Sequence, residues 1–294
     1  MKLRGLGEDK LVAALLRGLP QARDVVRGPG DDCAVIGNPQ GKIWRLLKTD
    51  CLVEGIHFRP DEEAQKIGWK ALARAVSDFA AMAGRPMHAL ITLAVSPEVE
   101  LKRVTDIYAG LKKCAKRYGV AIVGGETAHS PGPMFISVAL SGEVERHFCV
   151  FRTGGQAGDR LFVTGRLGGS LAGRHLTFEP RVEEARWLSQ RFQIHAMMDL
   201  SDGLGADLPR LAQASKCGFR LKEEAIPLNP GCTPAQGISD GEDYELLFAL
   251  SPRETERLQI LWPRKFPPLP LTEIGELTAA KPKKAALHGY DHFA

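Results

Sequence analysis

The sequence predicts a mixed α/β (α+β) protein of two domains, each a sheet with helices on it. Two observations predict it. Short apolar strands alternate with periodic helices along nearly all of the 294 residues. One Gly-rich polar seam, "VFRTGGQAGD" at residues 150–159, interrupts that alternation near the middle. The expected domains are therefore 1–150 and 151–294. A 44% hydrophobic and 25% charged composition supplies one large core or two ordinary ones and argues against disorder.

The elements follow in order. "LGEDKLVAALLRGL" has apolar residues at helical spacing. "KIWRLLKTD" at 42–50 is a strand ending in a polar turn. The Ala-rich periodic stretch 64–84 is a long helix, stopped by Gly84 before Pro86. Residues 87–95 are a strand, and 100–119 an amphipathic helix closed by Gly119. Two strands, 120–126 and 134–144, complete the first half. After the seam come a strand at 160–165, a Gly-rich turn with a helix at 168–178, and a helix at 181–192. A strand at 196–201, a helix at 203–215, strands at 219–224 and 242–250, a helix at 253–261 and a strand at 271–277 follow.

Composition excludes several functions. Thirty-nine Lys and Arg against 35 Asp and Glu leave +4 without a basic block, so no nucleic-acid partner is expected. Six cysteines form no C-x-x-C pair, which argues against a zinc or thioredoxin-like motif. The charged start "MKLRGLGEDK" lacks the apolar segment of a signal peptide, and no run is long enough to span a membrane. The expectation is a soluble, reduced, cytoplasmic protein with no membrane partner.

The carboxylates carry the chemistry. Asp32 in "GPGDDCAVIG", Asp50 in "LLKTDCLVEG", Glu126 in "AIVGGETAHS", Asp199 and Asp202 in "MMDLSDGL", and Glu242 and Asp243 in "SDGEDYELLF" each follow or end a short strand beside Gly, Ser or Thr. Asp78 instead interrupts an apolar helical face, where a carboxylate needs a partner. Singly, such an acid reads equally as a turn or a cap. Together, acids at strand ends gather at one sheet edge and repel one another unless cations join them. Oxygen ligands suit Mg²⁺, which commonly arrives with substrate phosphates. The P-loop and protein-kinase signatures are both absent. "VTGRLGGSLAG" at 163–173 is either an anion-binding helix start or a plain junction. Arg152 and Lys48 either face phosphate or lie solvated, and His57 and Tyr290 are either structural or ligand-facing.

The set of motifs is more specific than its members. "GEDKLVAALL", "GPGDDCAVIG", "TDCLVEGIHF", "GWKALARAVSDFAAMAGRP", "IVGGET", "GDRLFVTGRLGGSLAG", "MMDLSDGLGADLPRLA", "GEDYELLF" and "GYDHFA" occur in this order. The chain resembles the thiamine-monophosphate kinases, a family of the aminoimidazole ribonucleotide synthetase-like superfamily. The resemblance implies that superfamily's two-domain fold, with N-terminal sheets forming a homodimer interface. It implies ATP as co-substrate, several Mg²⁺ ions, thiamine monophosphate as acceptor, and direct transfer without a covalent intermediate. Carried over by motif, Asp32, Thr49, Asp50, Asp78, Asp199, Asp202 and Glu126 stand at metal positions. Tyr108, Gly125, Glu126, Arg152 and Ser201 stand at nucleotide positions, and His57, Glu242 and Tyr290 at substrate positions. The chain departs from the family pattern at Glu126, where Asp is usual, at Gly169 and Asp240, and at Lys48, which replaces a small hydroxyl residue. The alternatives are a synthetase-type enzyme of the same superfamily and a relative that binds without turnover. Within the opening acid pair, Asp32 is expected at the metal and Asp31 in the turn or behind it.

Overall fold

The computed structural model describes residues 7–20, 22–280 and 289–290. It is a mixed α/β structure with two sheets. The first has the strand order β1-β2-β3-β6-β4-β5. Its members are β1 (Val25–Arg27), β2 (Ala34–Ile36), β3 (Ile43–Val53), β4 (Arg85–Val95), β5 (Ala121–His129) and β6 (Phe135–Glu145). Only β4 and β5 run parallel. Strand β3 pairs with β6 along its whole length, with Lys48 opposite Leu140 and Asp50 opposite Val138. The second sheet is antiparallel, ordered β8-β10-β7-β11-β9. It comprises β7 (Arg160–Thr164), β8 (Ile194–Asp199), β9 (Gly218–Leu221), β10 (Leu246–Leu250) and β11 (Leu271–Thr278).

Seven helices complete the described structure: α1 (Glu8–Leu15), α2 (Ala64–Ala81), α3 (Leu101–Tyr118), α4 (Val182–Arg191), α5 (Leu204–Ala214), α6 (Pro234–Ser239) and α7 (Pro252–Lys265). Helix α2 positions the site. It is buried almost throughout from Ile67 onward, because small Ala side chains let it pack on both sides. Leu72 and Val76 join the core beneath the first sheet, while Ala80 joins the core with Phe162, Phe248 and Trp262 of the second unit. Asp78 is thereby delivered to the junction of the two sheets. The β10 sequence "LLFAL" is buried at every position because helices cover both faces of the second sheet, α5 on one and α4 and α7 on the other.

The crossing of α2 over α3 depends on two glycines. A Cβ on Gly110 would lie 1.8 Å from the Gln65 carbonyl oxygen, and one on Gly68 would lie 1.8 Å from that of Ile107. Gly110→Ala is therefore expected to separate the helices and lower stability by about 1–3 kcal/mol or more, read as a fall in the thermal midpoint. An unchanged midpoint would contradict this crossing.

Several local expectations change. The helix expected within 168–178 is two single 3₁₀ turns, Ser170–Ala172 and Arg174–Leu176, because Gly169 and Gly173 sit at φ +70° and +126°. The strand expected over 242–250 begins only at Leu246, because Glu242 and Tyr244 both have φ +52°. The strand expected over 219–224 ends at Leu221, ahead of a 3₁₀ turn at Glu223–Ala225. Conversely, β3 and β5 run past the expected turns, so Asp50 and Glu126 lie inside strands. The strand expected after the acid pair, from Cys33, is β2, whereas strand β1 ahead of the pair and α6, started by a Thr233–Gln236 capping box, were not foreseen.

Candidate functional site

The centre is an acid triad assembled from three elements. Asp32 comes from the loop before β2, Asp78 from α2, and Asp199 from the end of β8. All three are buried, and one carboxylate oxygen of each lies within 4.8 Å of the others. Burial pushes the Asp199 carboxyl up to about 6, helped by Asp32 and opposed by Ser77, Lys48 and Arg152. Burial drives Asp78 up more strongly, with Asp199, Asp50 and Asp32 adding to it against Lys48. These are oxygen donors held close against their own repulsion, a set that fits a hard divalent cation such as Mg²⁺.

The triad opens into a cleft of about 910 Å³ that also presents Lys48, Asp50, His57, Arg74, Arg152, Ser201, Asp202, Arg210 and Tyr290. Basic groups answer the acids one by one. Arg152 grips Asp32 with two donors, Nε to Oδ2 at 3.1 Å and Nη2 to Oδ1 at 2.5 Å. Lys48 Nζ lies 2.6 Å from Asp78 Oδ1, and Arg74 Nε lies 3.2 Å from Asp50 Oδ2. Arg210 bonds Asp202 and, at 2.9 Å, the fully buried Asp207. Asp199 accepts from the Ser77 hydroxyl at 2.6 Å. The repulsion anticipated from the acids alone is thus largely met by basic side chains on other elements.

Asp31 has another task. Its carboxylate is buried and accepts the Arg152 backbone N–H at 3.2 Å, tying the acid loop to the segment before β7. Burial, and then the charge of Asp32, push it up to about 6.

A side chamber of about 90 Å³ adjoins the cleft and brings together His57, Glu242, Tyr290, Ser201 and Asp202. The Tyr290 backbone N–H donates to the Asp202 carbonyl at 3.0 Å, which docks this stretch of tail against the loop before α5. The rest of the closing "GYDHFA" motif, residues 291–294, lies outside the described residues. The His57 ring accepts the Val53 N–H at Nδ1, 3.0 Å away, which puts the ring proton on Nε2. Beneath the chamber, Lys70 is fully buried. Its ammonium contacts Glu242 Oε2 at 2.5 Å, the His57 carbonyl at 2.6 Å and His175 Nδ1 at 2.8 Å. Burial lowers Lys70 to about 8 against the pull of Glu242. Burial pushes the Glu242 carboxyl up, but the His175 hydrogen bond and the Lys70 and Arg74 charges outweigh it and hold the group at about 2.

Four expected site residues lie elsewhere. Thr49 is exposed on the face of β3 opposite Lys48 and Asp50, because side chains alternate along a strand. Gly125 and Glu126 lie on β5, an edge strand separated from β3 by β6 and β4. The absence of a side chain at Gly125 is accounted for locally, since a Cβ there would lie 1.8 Å from the Ile91 carbonyl oxygen. Tyr108 packs on α3 against the first core. Conversely, Lys70, Arg74, Ser77, His175, Asp207 and Arg210 were not anticipated. A signal for two of them existed: Lys70, Arg74 and Asp78 recur at intervals of four on α2 and so share one face.

The family model described as AIR synthase related protein, N-terminal domain, matches residues 30–144, and its C-terminal counterpart matches residues 155–287. The chain is 40% identical to thiamine-monophosphate kinase of Rhodopirellula baltica, over 92% of this chain and 89% of that one. It is 32% identical to thiamine-monophosphate kinase of Escherichia coli strain K12, over 98% of each. A solved structure of AaThiL complexed with AMPPCP and TMP superposes with a TM-score of 0.85 at 32% identity, over 100% of this chain and 99% of that one.

Proposed function

The chain belongs to the thiamine-monophosphate kinase family of AIR synthase related proteins, and we propose that it transfers the γ-phosphoryl group of ATP to thiamine monophosphate. The observation that carries this reading is the buried triad Asp32, Asp78 and Asp199 at the base of a cation-lined cleft, with His57, Glu242 and Tyr290 in the adjoining chamber.

A terminal phosphate oxygen of thiamine monophosphate attacks the γ-phosphorus as the bond to the β-phosphate oxygen breaks. ADP leaves, and no bond to protein forms. The protein's task is to hold two anions in line and offset their charge. Lys48, Arg74, Arg152 and Arg210 lie around the cleft for that purpose. In this reading Asp32, Asp78 and Asp199, with Asp50 and Asp202 nearby, hold Mg²⁺. Bound Mg²⁺ supplies charge neutralisation at the nucleotide phosphates. Arg152 and Ser201 face the nucleotide. Tyr290 lies against the thiamine rings, whose cationic thiazolium suits an aromatic face and the Glu242 carboxylate.

The reading extends to a homodimer in which residues 1–150 bind nucleotide and dimerise and residues 151–294 complete the site. Its support is an exposed apolar face on the first sheet, where Leu47, Leu90 and Val123 are 42%, 49% and 58% exposed around Thr49. Pairing two such faces buries them. Gly125, Glu126, Tyr108 and Thr49, which lie outside the cleft of their own chain, then serve at the shared boundary.

A coupled ADP-release assay over a panel of phosphorylated acceptors tests the reading. ADP is expected only when ATP, Mg²⁺ and thiamine monophosphate are all present. Release with a different acceptor instead would assign the chain to a synthetase-type relative, and tight nucleotide binding without release would make it a binding protein.

A further inference from the structure

Five carboxylates meet at the cleft, and four basic side chains pair with four of them. Three of the four cations are arginines, and one of them, Arg152, holds its carboxylate with two donors of its planar fork. Lys48 is different. It lies on β3, where full-length pairing with β6 fixes the backbone, and its side chain shares a face with Leu46 and Asp50. Its Nζ lies 2.6 Å from Asp78 Oδ1, and Asp78 is its sole hydrogen-bond acceptor among the described residues. An ammonium has three donors in a compact point charge. The side chain is 25% exposed and lines the cleft, so its head has access to whatever enters. It also sits directly on one member of the triad, where a divalent cation would have to compete with it for the same carboxylate.

We propose that Lys48 is a resident cation of the phosphoryl-transfer site, occupying a place at Asp78 that a divalent ion would otherwise take and offering its remaining donors to phosphate oxygens. The proposal rests on the kinase reading of the same cleft. Part of the charge needed to bring two phosphates together is then built into the chain and does not exchange with solution. The site accordingly loads one divalent ion fewer than its carboxylates alone would hold.

Manganese titration followed by electron paramagnetic resonance, with a saturating non-hydrolysable ATP analogue, tests this without turnover. Lys48→Ser and Lys48→Met are each expected to bind one more Mn²⁺ per chain than wild type. Lys48→Arg, which keeps the charge, is expected to match wild type. Two neutral variants are used so that a misfolded one, identified by circular dichroism, leaves the other decisive. Equal stoichiometry in wild type and a folded neutral variant would overturn the proposal, as would an extra ion in Lys48→Arg. Wild-type formation of thiamine diphosphate is measured separately, so a failed kinase reading and a failed Lys48 proposal give different results.

Discussion

Asp32→Asn is expected to cut turnover by about 10²–10³-fold while leaving the protein folded. Asp32 is a buried member of the acid triad, and Arg152 bonds both of its oxygens. The amide keeps the shape and one acceptor oxygen but removes the charge that both Arg152 and a hard cation require. Asp31→Asn supplies the control. Asp31 accepts a backbone N–H of Arg152, and an amide oxygen can still do so. Its loss is expected to stay within about tenfold, the equivalent of one ordinary hydrogen bond. The two variants are compared by kcat and by far-ultraviolet circular dichroism. Equal losses of turnover would mean that the adjacent acids do not divide the work in this way.

Lys70→Met is expected to cost about 3–5 kcal/mol of stability, measured by urea unfolding. Lys70 is fully buried, and removing it leaves the Glu242 carboxylate with His175 as its remaining close partner. Glu242 already has a strained backbone at φ +52°, so Lys70 also supports the chain path that carries it into the chamber. The pH dependence has a definite sign. The folded Glu242 pKa, about 2, lies below its ordinary 4.5. Its stabilising contribution is therefore complete above pH 4.5 and lost as pH falls from there toward 2. In Lys70→Met the folded value should rise toward 4.5, so the acid loss should be smaller and end at a higher pH. A variant as stable as wild type across this range would show that the buried ion pair does not hold the chamber.

Much of the fold was legible because local signals agreed with tertiary packing. Gly119 closes α3 in a left-handed conformation, and the Ala-rich run of α2 is the helix its spacing predicts. Errors arose where glycine or positive φ overrode apolar pattern, as at residues 168–178 and before Leu246. The acids of the cleft were legible because a carboxylate in an apolar context is conspicuous, Asp78 above all. Their basic partners were harder to read. Arg74, Arg152 and Arg210 pair with acids 24, 120 and 8 residues away, respectively, distances that no local spacing rule connects. Thr49 illustrates the converse problem: adjacency to Asp50 in sequence places the two side chains on opposite faces of one strand.

The most direct test of the central claim follows the phosphoryl group itself. Enzyme is incubated with ATP labelled at the γ-phosphate, thiamine monophosphate and Mg²⁺, and the label is then located. In-line transfer in this cleft predicts label in thiamine diphosphate and none on the denatured protein, with loss of transfer in Asp32→Asn. Label released as inorganic phosphate, or retained covalently on the chain, would contradict it.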